Sequence, residues 1–161
     1  MKIISSFLVC YFILIVASAQ QSNNIYNPSA NASDDITAAI NKAKEEHKFV
    51  LIQGGGNWCK WCVEFYNVCK ADNKLDSIIN ANFIWYHLNY SKENKNSDLF
   101  AKYNYPQRFG FPVFIILNEK GERIHTQNSE YLEDGKSSYD KKKVFSFLEM
   151  WSPKAMDPTK Y

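Results

Sequence analysis

The sequence predicts an α/β domain, a layered sandwich of helices around one mixed β-sheet. Three observations predict it. Apolar runs short enough to be strands, at 49–52, 83–88 and 113–117, alternate with segments whose apolar residues recur at helical spacing. The last of these runs is followed by a turn at 118–121 and a second run that pairs back on it, an antiparallel hairpin closing an alternating chain. A length of 161 residues suits one domain with a sizeable core.

In chain order, the first segment lies outside that domain. Residues 1–19 start with Lys2, continue as an almost unbroken apolar run at 7–16 and close on Ala17-Ser18-Ala19, a small-x-small cleavage pattern. The run is short for a membrane span, which needs about 20 residues. A cleaved secretory leader is therefore expected, with a periplasmic or secreted location and no stable membrane insertion afterwards. Cys10 leaves with the leader. Residues 20–33 are polar and are expected as a flexible tether.

The folded domain is expected over 34–152. Its first helix starts at Ser33 or Asp34, either of which can cap it, and carries Ile36, Ala39, Ile40 and Ala43 on one stripe. A strand follows at 48–53. A helix then runs to about Lys70, bends near Asp72-Asn73 and resumes through Leu75, Ile78 and Ile79. After the strand at 83–88 come a polar loop at 91–96, a short helix from Ser97 or Asp98, and a loop at 105–112 with two prolines. The run at 113–117 is continuously apolar, as a strand buried on both faces must be. Residues 122–126 form the edge strand and 127–139 a loop. The last helix, 140–151, places Val144, Phe145, Leu148 and Trp151 on one stripe and ends before Pro153. Residues 153–161 are expected as a loose tail.

Composition excludes several partners. The formal charge is +2, and becomes +1 when Lys2 leaves with the leader. Neither nucleic acid nor an anionic membrane is indicated, and Lys141-Lys142-Lys143 reads as a solvated helix face. Without Cys10 the cysteines are Cys59, Cys62 and Cys69, an odd number and a poor framework for structural disulfides. His47, His87 and His125 are scattered singly, so no metal is expected. Cys69 lies two turns beyond Cys62 and reads as a small core residue, with a regulatory thiol as the minor alternative.

The chemistry concentrates at 54–62, Gly-Gly-Gly-Asn-Trp-Cys-Lys-Trp-Cys. Two cysteines at C-x-x-C spacing sit where a strand hands over to a helix. The free N–H groups and dipole of a helix N-terminus stabilise an anion, so a cysteine there ionises readily and the thiolate is the reactive form. Cys62, one turn on, lies within reach of a mixed disulfide formed at Cys59.

A strand, then Trp58-Cys59-Lys60-Trp61-Cys62, then a helix, then Pro112 opening an apolar strand that ends in a hairpin: in this order the chain resembles the thioredoxin superfamily over roughly 34–151. More narrowly it is similar to exported bacterial thioredoxin-like oxidoreductases with a W-C-K-W-C active site. The resemblance implies a three-layer sandwich with a central mixed sheet flanked by helices, Cys59 as the exposed nucleophile, and Cys62 as the partly buried resolving thiol. Pro112 takes the place of the family's cis-proline, and the main chain of Phe111 is left free to pair with a substrate strand. No cofactor is implied beyond the redox-active Cys59–Cys62 disulfide.

The sequence departs from cytosolic thioredoxin in three places. Lys60-Trp61 separates the cysteines. Lys60 adds a positive charge that lowers the pKa of Cys59, and Trp61 either covers the active-site surface or packs on the domain. The family's buried acid falls on Gln53 and its basic partner near His87, so any base serving Cys62 would be His87 or Glu64, or water; a lone strand histidine reads first, however, as a hydrogen-bonded structural residue. Gly54-Gly55-Gly56 reads as a flexible turn, or alternatively as a docking surface for a peptide.

The expected function is thus an exported thiol–disulfide oxidoreductase, a reductase by preference. It would act on protein thiols and disulfides, as a monomer, and be fed by a membrane electron donor. The alternative is a thioredoxin-fold binding module, a peptide chaperone or a Cu(I) site.

Overall fold

The computed structural model describes residues 24–161; the expected leader and Cys10 lie outside them. The elements, in chain order, are α1 (Ala32–Glu45), β1 (Phe49–Gly55), α2 (Lys60–Ala71), α3 (Asn73–Asn82), β2 (Phe83–Asn89), α4 (Ser97–Lys102), β3 (Val113–Leu117), β4 (Arg123–Asn128) and α5 (Lys141–Met150), with short 3-10 turns at Pro106–Phe109, Ser129–Leu132 and Pro158–Lys160.

The four strands form one mixed sheet in the order β2-β1-β3-β4. β1 runs parallel to β2 and antiparallel to β3, and β3–β4 is the expected hairpin. Side chains alternate across a strand, so the sheet builds a core on each face. Val50, Ile52, Val113, Ile115 and Leu117 pack with Ile36, Ala39, Ala43 and Phe100 from α1 and α4. Leu51, Phe114 and Ile116 pack with Phe65, Leu75, Ile79, Val144 and Leu148 from α2, α3 and α5. All five β3 residues are buried. Among the described residues no helix is long and apolar enough to cross a membrane.

Local chemistry sets the helix ends. Asp72 terminates α2 in an extended conformation, and its carboxylate accepts from the N–H groups of Lys74 and Leu75, starting α3; this is the bend expected near Asp72-Asn73. Asp140 caps α5 in the same way through Lys142 and Lys143.

Four expectations are corrected. The cap of α1 is Asn31, whose side chain accepts from the Asp34 N–H, so the helix starts earlier than Ser33 or Asp34. Residues 24–31 are not a loose tether: Tyr26 is 2% exposed and seated in the domain. The strand β1 continues through Gly54 and Gly55, so those glycines are strand residues rather than a flexible turn. Residues 127–139 are more ordered than a loop: they finish β4, form the turn Ser129–Leu132 and bridge Glu133 to Tyr139.

Candidate active site

The site stands where β1 enters α2. Cys59 is the N-cap of α2, and its Sγ accepts from the Cys62 N–H at 3.1 Å. The Cys59 and Cys62 sulfurs are joined in a disulfide. A sulfur at the N-cap faces the unpaired N–H groups and positive end of the helix, so reduction leaves Cys59 where a thiolate is favoured. Among the described residues no three His, Cys, Asp or Glu side chains cluster closely enough to hold a metal ion.

Cys59 departs from the expected exposed nucleophile. It is 5% exposed, and Cys62 is fully buried. The cause is apolar cover: the pair shares a buried cluster with Tyr26, and Ile25, Trp61 and Phe111 pack against that cluster. Phe111 precedes Pro112 across a cis peptide bond, and Pro112 is buried while Phe111 remains partly open. Lys60 is exposed on the first turn of α2.

The two tryptophans do different things. Trp58 is 61% exposed, yet its ring is anchored: its Nε1–H donates to the Tyr90 carbonyl at 2.7 Å, and it forms a T-shaped pair with the Phe111 ring, centroids 5.7 Å apart. Trp61 is half-buried and packs edge-on against Tyr139 at 5.5 Å, while the Tyr139 hydroxyl donates to the Trp61 carbonyl. Trp61 therefore packs on the domain and also borders the surface. Beside it lies a groove of about 530 Å³ lined by Trp61, Phe109, Gly110, Phe111, Ser129, Glu130 and Glu133.

The glycine run is explained by crowding. A Cβ on Gly54 would meet Phe100 and Val113 at 3.2 Å. On Gly55 it would lie 2.5 Å from Cys62 Sγ and 2.7 Å from Tyr26 Oη, and on Gly56 it would lie 2.4 Å from Trp58 Nε1. Each glycine makes room for a neighbour that builds the site, so neither the flexible-turn nor the docking-surface reading describes them.

Behind the disulfide lies a polar network. Gln53 is fully buried, and its Nε2 donates to Tyr26 Oη at 2.8 Å and to the Cys62 carbonyl at 2.9 Å. His87 pairs with Gln53 in the β1–β2 register. Its ring is enclosed by Tyr26, Tyr66 and Trp85, and its Nε2 has no hydrogen-bond partner among the described residues. Burial, with Lys70 adding, pushes the His87 pKa down to about 4, so the imidazole is neutral at ordinary pH. Glu64 faces elsewhere: its carboxylate accepts from the Ser138 hydroxyl at 2.6 Å. Cys69 is fully buried in the core under α2, and burial pushes its thiol well above the ordinary range.

Sequence reasoning missed Tyr26, Asn57, Tyr90 and Tyr139. Only Tyr26 carried any signal, as a lone aromatic in a polar stretch. Asn57 Oδ1 accepts from the Tyr26 N–H and Asn57 Nδ2 donates to the Tyr26 carbonyl, which fixes the segment to the turn before Trp58.

Residues 31–119 match the profile of a family described as thioredoxin-like. No curated protein matches the sequence. Among solved structures, the disulphide isomerase of Xylella fastidiosa Temecula1 superposes with a TM-score of 0.67 at 22% identity, covering 77% of this chain and 93% of that one. The reduced C-terminal domain of DsbD from Neisseria meningitidis gives 0.55 at 17% identity, covering 74% and 96%. A DsbH oxidoreductase gives 0.50 at 18% identity, covering 71% and 81%. At these identities the likeness is one of fold.

Proposed function

The chain belongs to the thioredoxin-like family, and from that premise we propose that it is an exported thiol–disulfide oxidoreductase that works on protein substrates as a reductase. The observation that carries the reading is the Cys59–Cys62 disulfide at the N-cap of α2, with Phe111, the residue before the cis Pro112, packed on its cluster. Reduced, Cys59 attacks a substrate disulfide as its thiolate, and Cys62 resolves the mixed disulfide. The groove lined by Trp61, Phe109 and Phe111 receives the polypeptide beside the cysteines. Structural neighbours named as a disulphide isomerase and as DsbD and DsbH proteins support a protein thiol as the partner class.

Export rests on the leader pattern of residues 1–19. In an oxidising compartment a reductase needs electrons from elsewhere, and a membrane donor is the source consistent with export. Reduction potentials in such proteins run from about −270 mV for reducing members to about −120 mV for oxidising ones. Equilibrating the Cys59–Cys62 pair in glutathione and dithiothreitol buffers tests the reading. A potential near −250 mV or below is expected. A value near −130 mV overturns the direction, and the lack of any reversible couple overturns the function.

A further inference from the structure

Tyr26 supplies a buried hydroxyl at the back of the cysteine pair, and the exchange chemistry above leaves it without a task. Its oxygen accepts from Gln53 Nε2 at 2.8 Å, while the same nitrogen holds the Cys62 carbonyl at 2.9 Å. The hydroxyl therefore keeps its own proton, which has no acceptor among the described residues. The point occupied by a Cβ on Gly55 would be 2.5 Å from Cys62 Sγ and 2.7 Å from Tyr26 Oη. Sulfur and phenol oxygen thus border the same position, which glycine leaves without a side chain. The main chain of Tyr26 is clamped on both its N–H and its carbonyl by Asn57. The titratable groups around the phenol are Cys59 at the N-cap of α2, Cys62 of α2, His87 of β2 and Tyr139. Burial holds the Tyr26 pKa above its ordinary value, which makes the phenol a donor and not a base.

We propose that Tyr26 is a catalytic hydrogen-bond donor to Cys62: in the reduced protein its hydroxyl, aligned by Gln53, donates to Cys62 Sγ and favours the thiolate that resolves the mixed disulfide. A hydrogen bond to the charged form of a thiol lowers its pKa. The proposal rests on the exchange reading above. In that sequence the Cys59 thiolate attacks one sulfur of the substrate disulfide, the substrate S–S bond breaks, and the other substrate sulfur leaves as a thiolate. Cys62 loses its proton through solvent to that thiolate and attacks Cys59 Sγ. The mixed disulfide breaks, and the second substrate sulfur leaves and takes a proton from solvent. The protein dithiol is oxidised by two electrons, the substrate disulfide is reduced to two thiols, and Tyr26 keeps its proton throughout. Gln53 accepts nothing in these steps; it is a positioning residue.

The test is Tyr26→Phe, which removes the oxygen and keeps the ring against His87. A mixed disulfide is formed between Cys59 of the leader-free protein and a cysteine peptide, and its resolution is followed across pH. Resolution at neutral pH is expected to fall about tenfold, with the midpoint of the profile moving up by about one pH unit. A profile that superimposes on the parent's overturns the proposal. A second measurement needs no substrate: in the Cys59→Ser protein, the carbon chemical shift of Cys62 Cβ reports its ionisation. The Cys62 thiol is expected to ionise at higher pH when Tyr26→Phe is added, and equal titrations overturn the proposal. A parent that never resolves its mixed disulfide removes the exchange reading instead, and the Cys62 titration still decides whether Tyr26 donates.

Discussion

Asn57 and Tyr26 hold each other through both ends of one amide, with hydrogen bonds of 3.0 and 2.8 Å that span 31 residues of chain. Asn57→Ala leaves a main-chain donor and a main-chain acceptor without partners. The expected loss is about 1–3 kcal/mol in denaturant unfolding, with faster amide hydrogen exchange at Tyr26. Asn57→Asp keeps the acceptor and loses the donor, so it should recover only part. Unchanged exchange at Tyr26 in Asn57→Ala would count against the clasp.

Gly55 and Gly54 separate two degrees of crowding. Gly55→Ala sets a methyl group 2.5 Å from Cys62 Sγ and 2.7 Å from Tyr26 Oη. Overpacking of this kind costs about 1–3 kcal/mol. Gly54→Ala meets only side chains of Phe100 and Val113 at 3.2 Å, which can give by a few tenths of an ångström, so it should cost less. Chemical denaturation of the two variants ranks them, and the reverse order would contradict the packing described.

Stability should depend on pH through His87. Burial, then Lys70, lowers its folded pKa to about 4, against about 6.5 in an unfolded chain. Between those values the unfolded chain binds a proton that the folded chain refuses. Stability is therefore fully present above about pH 6.5 and declines as pH falls towards 4, by up to about 3 kcal/mol. His125, which stacks on Trp151, is shifted the same way by burial. His87→Gln isolates the first contribution: its urea-unfolding free energy should fall less steeply over this range than the parent's. Parallel curves would show that His87 is not the cause.

Cys69 should be chemically silent in the folded protein. It is fully buried, and burial raises its pKa, so neither access nor thiolate is available. After reduction and brief alkylation under native conditions, peptide mass analysis should find Cys69 unmodified, and denaturant should expose it. Rapid native labelling of Cys69 would restore the regulatory-thiol reading.

The strand–helix order was legible because β1, β2 and β3 are apolar runs and α1 and α5 carry apolar stripes, signals that local periodicity transmits. Cys59, Cys62, Trp58, Trp61 and Pro112 were legible as a motif; in the structure Trp61 packs on the cluster that holds the cysteine pair, while Trp58 packs on Phe111. Long-range contacts were not legible. Tyr26 sits in a polar stretch without periodicity, and its partners Gln53, Asn57 and Cys62 are reached only through the tertiary fold. Three consecutive glycines look alike whether they are loose or crowded; only the neighbours Phe100, Tyr26 and Trp58 decide. Cys59 is covered within a cluster that joins three separated stretches, Ile25-Tyr26, Trp61 and Phe111, a sum that no single segment contains.

The family profile spans 31–119, and the site does not stop there. Tyr26 lies before that span and forms the back wall of the cysteine pair; Tyr139 lies after it and braces Trp61 by ring contact and by hydrogen bond. Kinship and chemistry are thus recorded in different stretches of the same chain. A protein trimmed to the matched span would still be recognised as a relative, yet it would lack the rear and one flank of its own reaction chamber.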